Sequence, residues 1–459
     1  MKLRHLLLTG LLSAGLSLSA APRYIFYFIG DGMGMGHVMA AQSYNRQVLG
    51  NDDPILMMQF PVCASAHTYS ASSPVTDSAA AGTALATGYK TKNGMLGMDA
   101  DTVSVQSIAS KLKADGYGIG LVTTVAPDDA TPGAFYAHVP HRGMFYAIGK
   151  DYAASGYEFL AGAGLRGTTD QGKPTDLMKI LHESGIQVVR GMDALAETTS
   201  NRVILLNTDS INPNDVGYTI DSLENALTLP DMTKACLAHL EKFTPGKFFM
   251  MIEGGNIDHA GHGNDGATAI KEILNFNQAI KVAYDFYLAH PEETLIVITA
   301  DHDTGGMSVG NTFTGYDAHL QYIDYQKMSK EAFSNWCRAL LNSRRNYTWE
   351  DMKEFLTDNM GFWKFVPVNE EQTNRLQTLF DNTFKLRNSA DQQSLYNSFN
   401  AFAVEVFNVM NTVTGIGWTS PHHTGNEVPV FAIGVGAEKF ASFNNNSDIP
   451  GKIMSISSK

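Results

Sequence analysis

The feature that most restricts the fold is a series of short apolar runs separated by longer stretches of helical period. Runs of this length without alternating polar residues are typical of strands buried on both faces of a parallel sheet. Strands that alternate with helices predict an α/β fold, here a three-layer sandwich with a mostly parallel central sheet flanked by helices. The runs are residues 24–29, 119–125, 203–206, 248–252, 295–299 and 428–435.

Two stretches between the runs, residues 104–112 and 270–287, place apolar side chains three or four positions apart and are predicted to be helices. Residues from about 311 to 418 interrupt this alternation of strands and helices, because they are rich in Phe, Tyr, Asn, Gln and Trp and largely helical in pattern. We interpret them as a mainly helical insertion or cap. One helical face is predicted to pack into a core: Leu395, Phe399, Phe402, Val406, Val409 and Met410.

The first residues have the pattern of a secretory signal peptide. Lys2 and Arg4 precede an apolar stretch over residues 6–18, and small residues follow it. We predict cleavage near Ala20 and a single catalytic domain over residues 21–459, exported to the periplasm or the exterior without a membrane anchor. Three cysteines allow at most one internal disulfide, and we expect three buried thiols: Cys63, Cys236 and Cys337.

The charge balance restricts the partners. The formal net charge is −13, whereas nucleic-acid binding needs a basic surface, so no nucleic-acid binding is expected. Attraction for an anionic substrate would have to come from local cations.

Two segments near the N-terminus suit the binding of an anion or a metal. Asp31 lies between Gly30 and Gly32 after the first run, where glycine lets the backbone approach a ligand closely, although this acid could simply cap the next helix. Ser78 begins an alanine-rich stretch that favours a helix, whose free N–H groups would stabilise an anion. A serine there is either an ordinary cap or a nucleophile that faces phosphate.

Further candidates follow later runs. Asp129 and Thr131 offer oxygen ligands to a hard cation, and Arg142 can hold two phosphate oxygens or form a surface ion pair. Asp258 and His262, four positions apart in the segment 253–262, share a helical face and could bind one metal. Other acid and imidazole groups follow in Asp301, His302 and His423.

In this order the motifs resemble the alkaline phosphatase family, from about residue 24 to residue 435 apart from the poorly matched insertion. The resemblance implies hydrolysis of small phosphate monoesters, two Zn²⁺ and one Mg²⁺ as cofactors, and often a homodimer. The matching segments are Gly-Asp-Gly-Met-Gly at 30–34, Thr-Asp-Ser-Ala-Ala at 76–80, Asp-Ala-Thr-Pro at 129–132, Arg142, residues 253–262, Ala-Asp-His at 300–302 and His-Thr-Gly at 423–425.

The resemblance also implies a role for each matching position. Ser78 would form a phosphoserine intermediate, and Arg142 would clamp the phosphate. The first zinc ion would be held by Asp258, His262 and His423, and the second by Asp31, Asp301 and His302. Asp31 would also bridge to magnesium, which Thr131 and Glu253 complete. At two positions the family varies, with an Asp and Lys pair in some members and a pair of histidines in others. This chain has Asp129 and His259, one residue of each kind, which leaves the identity of the third ion open. His259 could also be a packed neighbour of Asp258.

Other functions stay open on the sequence alone. A phosphodiesterase, a phosphoglycerate-mutase-like enzyme or a sulfatase would share the broader superfamily, but a sulfatase needs a Cys/Ser-x-Pro-x-Arg segment that neither residues 63–67 nor residues 78–82 provide. A noncatalytic zinc- or phosphate-binding export protein would need neither Ser78 nor Arg142. The glycines at 30–34 do not have the spacing of a dinucleotide-binding loop.

Overall fold

The computed structural model describes residues 21–208, 212–343, 345–388 and 390–457. A ten-stranded sheet forms the centre of the fold, in the order β10-β2-β9-β8-β1-β7-β3-β4-β6-β5. In chain order its strands are β1 Tyr24–Ile29, β2 Val62–His67, β3 Gly118–Thr123, β4 Phe159–Gly162, β5 Gln187–Arg190, β6 Val203–Leu206, β7 Phe248–Glu253, β8 Thr294–Thr299, β9 Val428–Gly434 and β10 Asn444–Asn445.

The centre of the sheet is parallel and fully buried. β1 lies between β8 and β7, so that Ile29 is opposite both Thr299 and Glu253 at the carboxyl edge. Every residue of β3, β7 and β8 is buried, which requires that both faces of the sheet are covered. The α/β prediction of a mostly parallel sheet flanked by helices is confirmed.

Fifteen α-helices surround the sheet and fill the connections within the described residues. They are α1 Met35–Gln47, α2 Ser78–Thr87, α3 Ile108–Ala114, α4 Ala130–Gly133, α5 Phe145–Ser155, α6 Leu177–Glu183, α7 Gly191–Ala196, α8 Leu229–Phe243, α9 Asn256–His262, α10 Gly266–Ala289, α11 Lys330–Ser343, α12 Trp349–Met360, α13 Glu370–Phe380, α14 Ala401–Thr414 and α15 Asp448–Ser457. The first predicted helix begins later than expected because the Ser107 hydroxyl accepts from the N–H of Ser110 and caps it.

One predicted parallel strand is antiparallel. β9 pairs antiparallel with β8 on one side and with β2 on the other. The preceding residues, His423–Thr424, pair with Asp303–Thr304 just beyond the end of β8. The chain therefore enters β9 at the carboxyl edge and has to run back across the sheet. A strand buried on both faces is apolar in either direction, so its composition does not show its orientation.

The segment around residues 311–418 packs around its own core. Its ends come together, because Ser308–Val309 pairs antiparallel with Ile416–Gly417. Four α-helices, α11 to α14, lie between these ends and bury a separate apolar cluster that includes Phe333, Leu356 and Phe402. The predicted apolar face is wrong at Leu395, which is exposed and precedes α14 in a short hairpin. The remaining residues of that face, from Phe399 to Met410, are buried.

The expectation of three buried thiols is also wrong. Cys63, Cys236 and Cys337 are all free, but Cys63 is exposed because its side chain points outward from β2, where buried and exposed positions alternate. No helix among the described residues has the length and apolar character needed to cross a membrane. The predicted signal peptide, residues 1–20, lies outside the described residues.

Candidate functional site

Acidic residues from three neighbouring strands meet at the carboxyl edge of the sheet. Asp31 follows β1, Glu253 ends β7 and Asp301 follows β8, and β1 lies between the other two strands. All three side chains are buried. Open α/β sheets bind ligands at this edge, because loops that follow adjacent parallel strands come together there. The sheet therefore collects groups that are more than two hundred residues apart in the chain.

Asp258, His262 and His423 form the first group of possible metal ligands. His262 Nε2 lies 3.0 Å from His423 Nε2 and 3.5 Å from Asp258 Oδ2, and His423 Nε2 lies 3.6 Å from Asp258 Oδ1. A tetrahedral zinc ion with bonds of about 2.0–2.1 Å separates its ligand atoms by about 3.3 Å. The predicted i,i+4 arrangement on one helix is found in α9, and these three side chains do come together.

The orientation of the two imidazoles suits metal binding. His262 Nδ1 lies 2.7 Å from the carbonyl oxygen of Pro421, and His423 Nδ1 lies 2.8 Å from that of Thr76. A carbonyl only accepts, so each Nδ1 carries a proton, and the Nε2 atoms are the ones that face each other, 3.0 Å apart. A positive ion held between them satisfies both rings.

Asp258 completes this group with negative charge. Burial alone would raise its pKa, but His262 and His423 hold the pKa below its ordinary range. The Thr304 hydroxyl donates to Asp258 Oδ1 and lies 3.2 Å from His302 Nδ1, so it fixes side chains of both groups of possible ligands. Thr304 lies two residues after His302, and nothing in the sequence spacing indicates this role.

Asp31, Asp301 and His302 form the second group. His302 Nε2 lies 3.2 Å from Asp301 Oδ2 and 3.4 Å from Asp31 Oδ1. Neither of these two buried carboxylate oxygens makes a hydrogen bond within the described part of the chain. Burial raises the pKa of Asp301 to about 7, and it raises that of Asp31 strongly, with Asp301 adding to the effect. Buried acids that repel each other in this way are the expected surroundings of a cation.

Asp31, Thr131 and Glu253 offer a third group, made only of oxygen atoms. They line one small cavity together with Asp129 and His259. Thr131 Oγ1 and Glu253 Oε1 are buried and make no hydrogen bond to other described residues, and burial raises the pKa of Glu253 to about 8. An all-oxygen set suits magnesium better than zinc. The three predicted residues therefore lie together around one small polar cavity.

Ser78 is the first residue of α2, as predicted, but it is not the helix cap. The cap is Asp77, whose carboxylate accepts from the N–H of Ala80 at 3.0 Å. The Ser78 side chain is buried, and its Oγ lies 3.1 Å from His302 Nε2. The serine hydroxyl therefore lies beside the second group of possible ligands and at the positive end of a helix. Asp77 takes over the capping function, so the cap interpretation of Ser78 is wrong.

Arg142 projects over the same cavity and is held by acids. Its Nη2 donates to Asp129 Oδ1 at 3.0 Å, and its Nη1 lies 3.6 Å from Asp77 Oδ2. The other oxygen of Asp129 accepts from Arg166 Nη1 at 3.1 Å. Although burial opposes ionisation of Asp129, the two guanidinium groups lower its pKa below the ordinary value. The charges of Arg142 and Arg166 are matched by those of Asp129 and Asp77, so these ion pairs hold the guanidinium groups in place.

His259 lies beside this cluster as a neutral ring. Burial lowers the pKa of His259 to about 4, and its Nδ1 makes no hydrogen bond to the described residues. Its ring lies against the ring of Tyr396, with centroids 4.2 Å apart, and the Tyr396 hydroxyl accepts from Arg142 Nη2 at 3.3 Å. Arg166 and Tyr396 were missed by the sequence analysis. Arg166 follows the short strand β4, which was not predicted, and no spacing connects Tyr396 with the site.

Comparisons with known proteins agree with this geometry. The family described as "Alkaline phosphatase" matches residues 23–157 and 156–458. Alkaline phosphatase 4 of Bacillus subtilis (strain 168) is 29% identical over 444 residues, 95% of this chain and 88% of the relative. Alkaline phosphatase 3 of the same bacterium is 30% identical over 446 residues, 94% of this chain and 88% of the relative. The chain belongs to the alkaline phosphatase family.

The fold comparison supports the same assignment. A cold-active alkaline phosphatase from the psychrophile Shewanella sp. superposes with a TM-score of 0.80 at 28% identity, over 95% of this chain and 100% of the other. The protein is therefore a phosphoric monoester hydrolase of this family, and membership implies metal cofactors. Two sets of these side chains have ligand atoms close enough to hold a metal ion. One is Asp31 with Asp301 and His302, the second group above; the other is Asp258 with His302 and His423, in which His302 stands in place of His262.

Proposed function

We propose that the protein hydrolyses small phosphate monoesters through a phosphoserine intermediate at Ser78. The observation that carries the proposal is the position of Ser78 Oγ, buried at the N-terminus of α2 and 3.1 Å from His302 Nε2. An ordinary capping serine would instead accept hydrogen bonds from its own helix, which Asp77 does here. The hydroxyl is therefore available for attack on phosphorus.

We assign two zinc ions and one magnesium ion to the three groups of ligands. Asp258, His262 and His423 would hold one zinc ion, Asp31, Asp301 and His302 the other, and Asp31, Thr131 and Glu253 would hold magnesium. When bound, such ions act as Lewis acids that favour the deprotonated serine and stabilise negative charge on phosphate oxygens. The orphaned buried oxygens of Asp31, Asp301, Thr131 and Glu253 support this assignment.

The residues of the chain would perform the transfer in two displacements. In the first, Ser78 Oγ loses its proton and forms a bond to phosphorus as the ester P–O bond breaks, and the alcohol leaves with a proton. In the second, water cleaves the phosphoserine and releases inorganic phosphate, which regenerates the Ser78 hydroxyl. Free N–H groups in the first turn of α2 face the negative charge throughout.

Arg142 would hold the nonbridging oxygens during both steps. Asp129 and Asp77 fix its guanidinium before substrate arrives, so little side-chain freedom remains to be lost on binding. His259, with its lowered pKa, stays neutral at neutral and alkaline pH and adds no charge. The cationic contribution of the side chains therefore comes from Arg142 and Arg166.

The composition of residues 1–20 supports export to the periplasm or the exterior as part of the proposal. Phosphate monoesters outside the cytoplasm would then be the substrates, and the released phosphate would be available for uptake.

Turnover of p-nitrophenyl phosphate by the metal-loaded protein tests the proposal, with bis(p-nitrophenyl) phosphate and p-nitrophenyl sulfate as parallel substrates. We expect fast turnover of the monoester, its loss on chelation, and its loss in Ser78→Ala. Ser72→Ala is a matched control, because Ser72 is exposed in the loop before α2. Preference for the diester or the sulfate would refute the monoesterase assignment, and full activity of Ser78→Ala would refute the nucleophile.

A further inference from the structure

A hairpin of the 311–418 segment reaches the candidate site. Its strands Gln392–Gln393 and Ser398–Phe399 pair antiparallel, and Tyr396 lies in the turn between them. The Asn397 side chain donates to Glu331 Oε2 at 2.8 Å, which ties the turn to α11. Ser398 Oγ donates to Asp391 Oδ2 at 3.1 Å, within the base of the hairpin. These bonds hold the turn in a defined position over the carboxyl edge of the sheet.

Tyr396 contacts the groups that surround the phosphate position. Its hydroxyl accepts from Arg142 Nη2 at 3.3 Å, and its ring lies 4.2 Å from the ring of His259 and 5.4 Å from that of His262, measured between centroids. The side chain therefore joins the hairpin to the guanidinium that we propose as the phosphate clamp. It also forms one wall of the small cavity that Asp31 and Glu253 line.

A second pocket, of about 110 Å³, also has Tyr396 in its lining. We call it the outer pocket. Tyr396, Asp129 and His259 line both spaces, so the outer pocket adjoins the phosphate position. A phosphoryl group held by Arg142 would leave the rest of an ester to occupy this neighbouring space. The other side chains that line it are Arg166, Asn212, Asn214, Asp215, Leu395 and Asn397.

The lining of the outer pocket suits hydroxyl groups. Asn212 donates to Asp215 and accepts from the backbone N–H of Asn214, and the Asn397 amide donates to Glu331. The polar groups left for a ligand are the Asn214 side chain and the Arg166 guanidinium, which donates from one nitrogen to Asp129. The exposed Asn214 side chain extends these polar groups to the rim. Leu395 and the ring of Tyr396 provide apolar surface for a C–H face. An apolar alcohol of similar size would make no hydrogen bond to the Asn214 side chain or to the Arg166 guanidinium.

We propose that this hairpin makes the outer pocket a binding site for the alcohol part of the substrate and selects compact, hydroxylated alcohols such as sugars and polyols. Tyr396 is a positioning residue, which acts through Arg142. The proposal rests on the proposed function of Ser78, since it concerns the substrate of that same reaction.

The test compares kcat/KM of the metal-loaded enzyme for D-glucose 6-phosphate with that for p-nitrophenyl phosphate. Because each variant is measured on both esters, the intrinsic difference between their leaving groups cancels. Asn214→Ala should lower the ratio of glucose 6-phosphate to p-nitrophenyl phosphate by about threefold to tenfold, the loss expected for one hydrogen bond. Asn201→Ala is the matched control, since Asn201 is also exposed but does not line the outer pocket. An unchanged ratio in Asn214→Ala would overturn the proposal.

Tyr396→Phe tests the positioning role separately. It removes the hydroxyl that accepts from Arg142 and keeps the ring against His259. We expect the inhibition constant of inorganic phosphate to rise several-fold, because the clamp loses one of its supports, while Tyr316→Phe, at an exposed tyrosine of the same segment, stays at the wild-type value. An unaltered inhibition constant would refute this role. If the wild-type protein hydrolyses neither ester, the proposed function itself fails; hydrolysis with an unaltered ratio in Asn214→Ala refutes the outer pocket alone.

Discussion

Glu272→Gln should stabilise the protein at alkaline pH and leave its stability at acidic pH nearly unchanged. Glu272 lies in α10, is 3% exposed, and accepts from the N–H of Thr219 at 2.7 Å. Burial raises its pKa from an ordinary value of 4.5 to about 7, and Asp221 contributes to the increase. At about 1.4 kcal/mol per pH unit, ionisation of the buried group costs about 3 kcal/mol.

The sign of the effect follows from proton binding. Between pH 4.5 and 7 the folded protein holds a proton on Glu272 that the unfolded chain has lost, so the free energy of unfolding falls as the pH rises through this range. The introduced glutamine would be neutral at every pH, and its carbonyl oxygen could still accept from Thr219. The advantage of the variant should therefore be small near pH 4.5 and reach about 3 kcal/mol above pH 7.

Urea unfolding of the metal-loaded protein at pH 5 and pH 8.5 measures this difference. Glu241→Gln, an exposed position on α8, is the matched control and should give parallel curves at both pH values. If Glu272→Gln gave the same difference in unfolding free energy at both pH values, Glu272 would be ionised in the folded protein under acidic conditions, and the argument from burial would be wrong.

Three further results are expected. Chelation should lower the melting temperature and abolish ester turnover together, because the buried carboxylates lose their cations; added zinc and magnesium should restore both. Thr304→Val should weaken zinc binding by about tenfold or more, because Thr304 donates to Asp258; competition with a chromophoric chelator measures this. Cys63 should react with a thiol reagent in the folded protein, whereas Cys236 and Cys337 should react only after unfolding.

The positions of the acids and histidines could be predicted because they depend on local rules. A buried parallel strand delivers the residue that follows it to the carboxyl edge, so the strand pattern placed Asp31 and Asp301 at strand ends, and the family resemblance implied that they share one metal. The i,i+4 pair of Asp258 and His262 needed only one helix. The position of His423 was harder to predict. It reaches the site through a short antiparallel pair with Thr304, and no periodic pattern in the sequence indicates that pair.

The contributions that were missed depend on tertiary packing. Arg166 follows a strand of four residues, too short to stand out, and its role comes from meeting Asp129 across two loops. Tyr396 lies in a hairpin whose apolar neighbour Leu395 fitted a helical pattern by coincidence, so the whole turn was assigned to the wrong element. The direction of β9 was fixed by where the preceding chain returns to the sheet, and strand composition carries no information about that.

Trapping of the phosphoenzyme tests the central claim most directly. The metal-loaded protein would be mixed with a phosphate monoester, quenched in acid within its first turnovers, digested, and mapped by mass spectrometry. We predict one phosphoryl group on the peptide that contains Ser78, absent from Ser78→Ala and from protein stripped of metal. Turnover without a phosphorylated peptide, or phosphorylation of another residue in the wild-type protein, would contradict the mechanism.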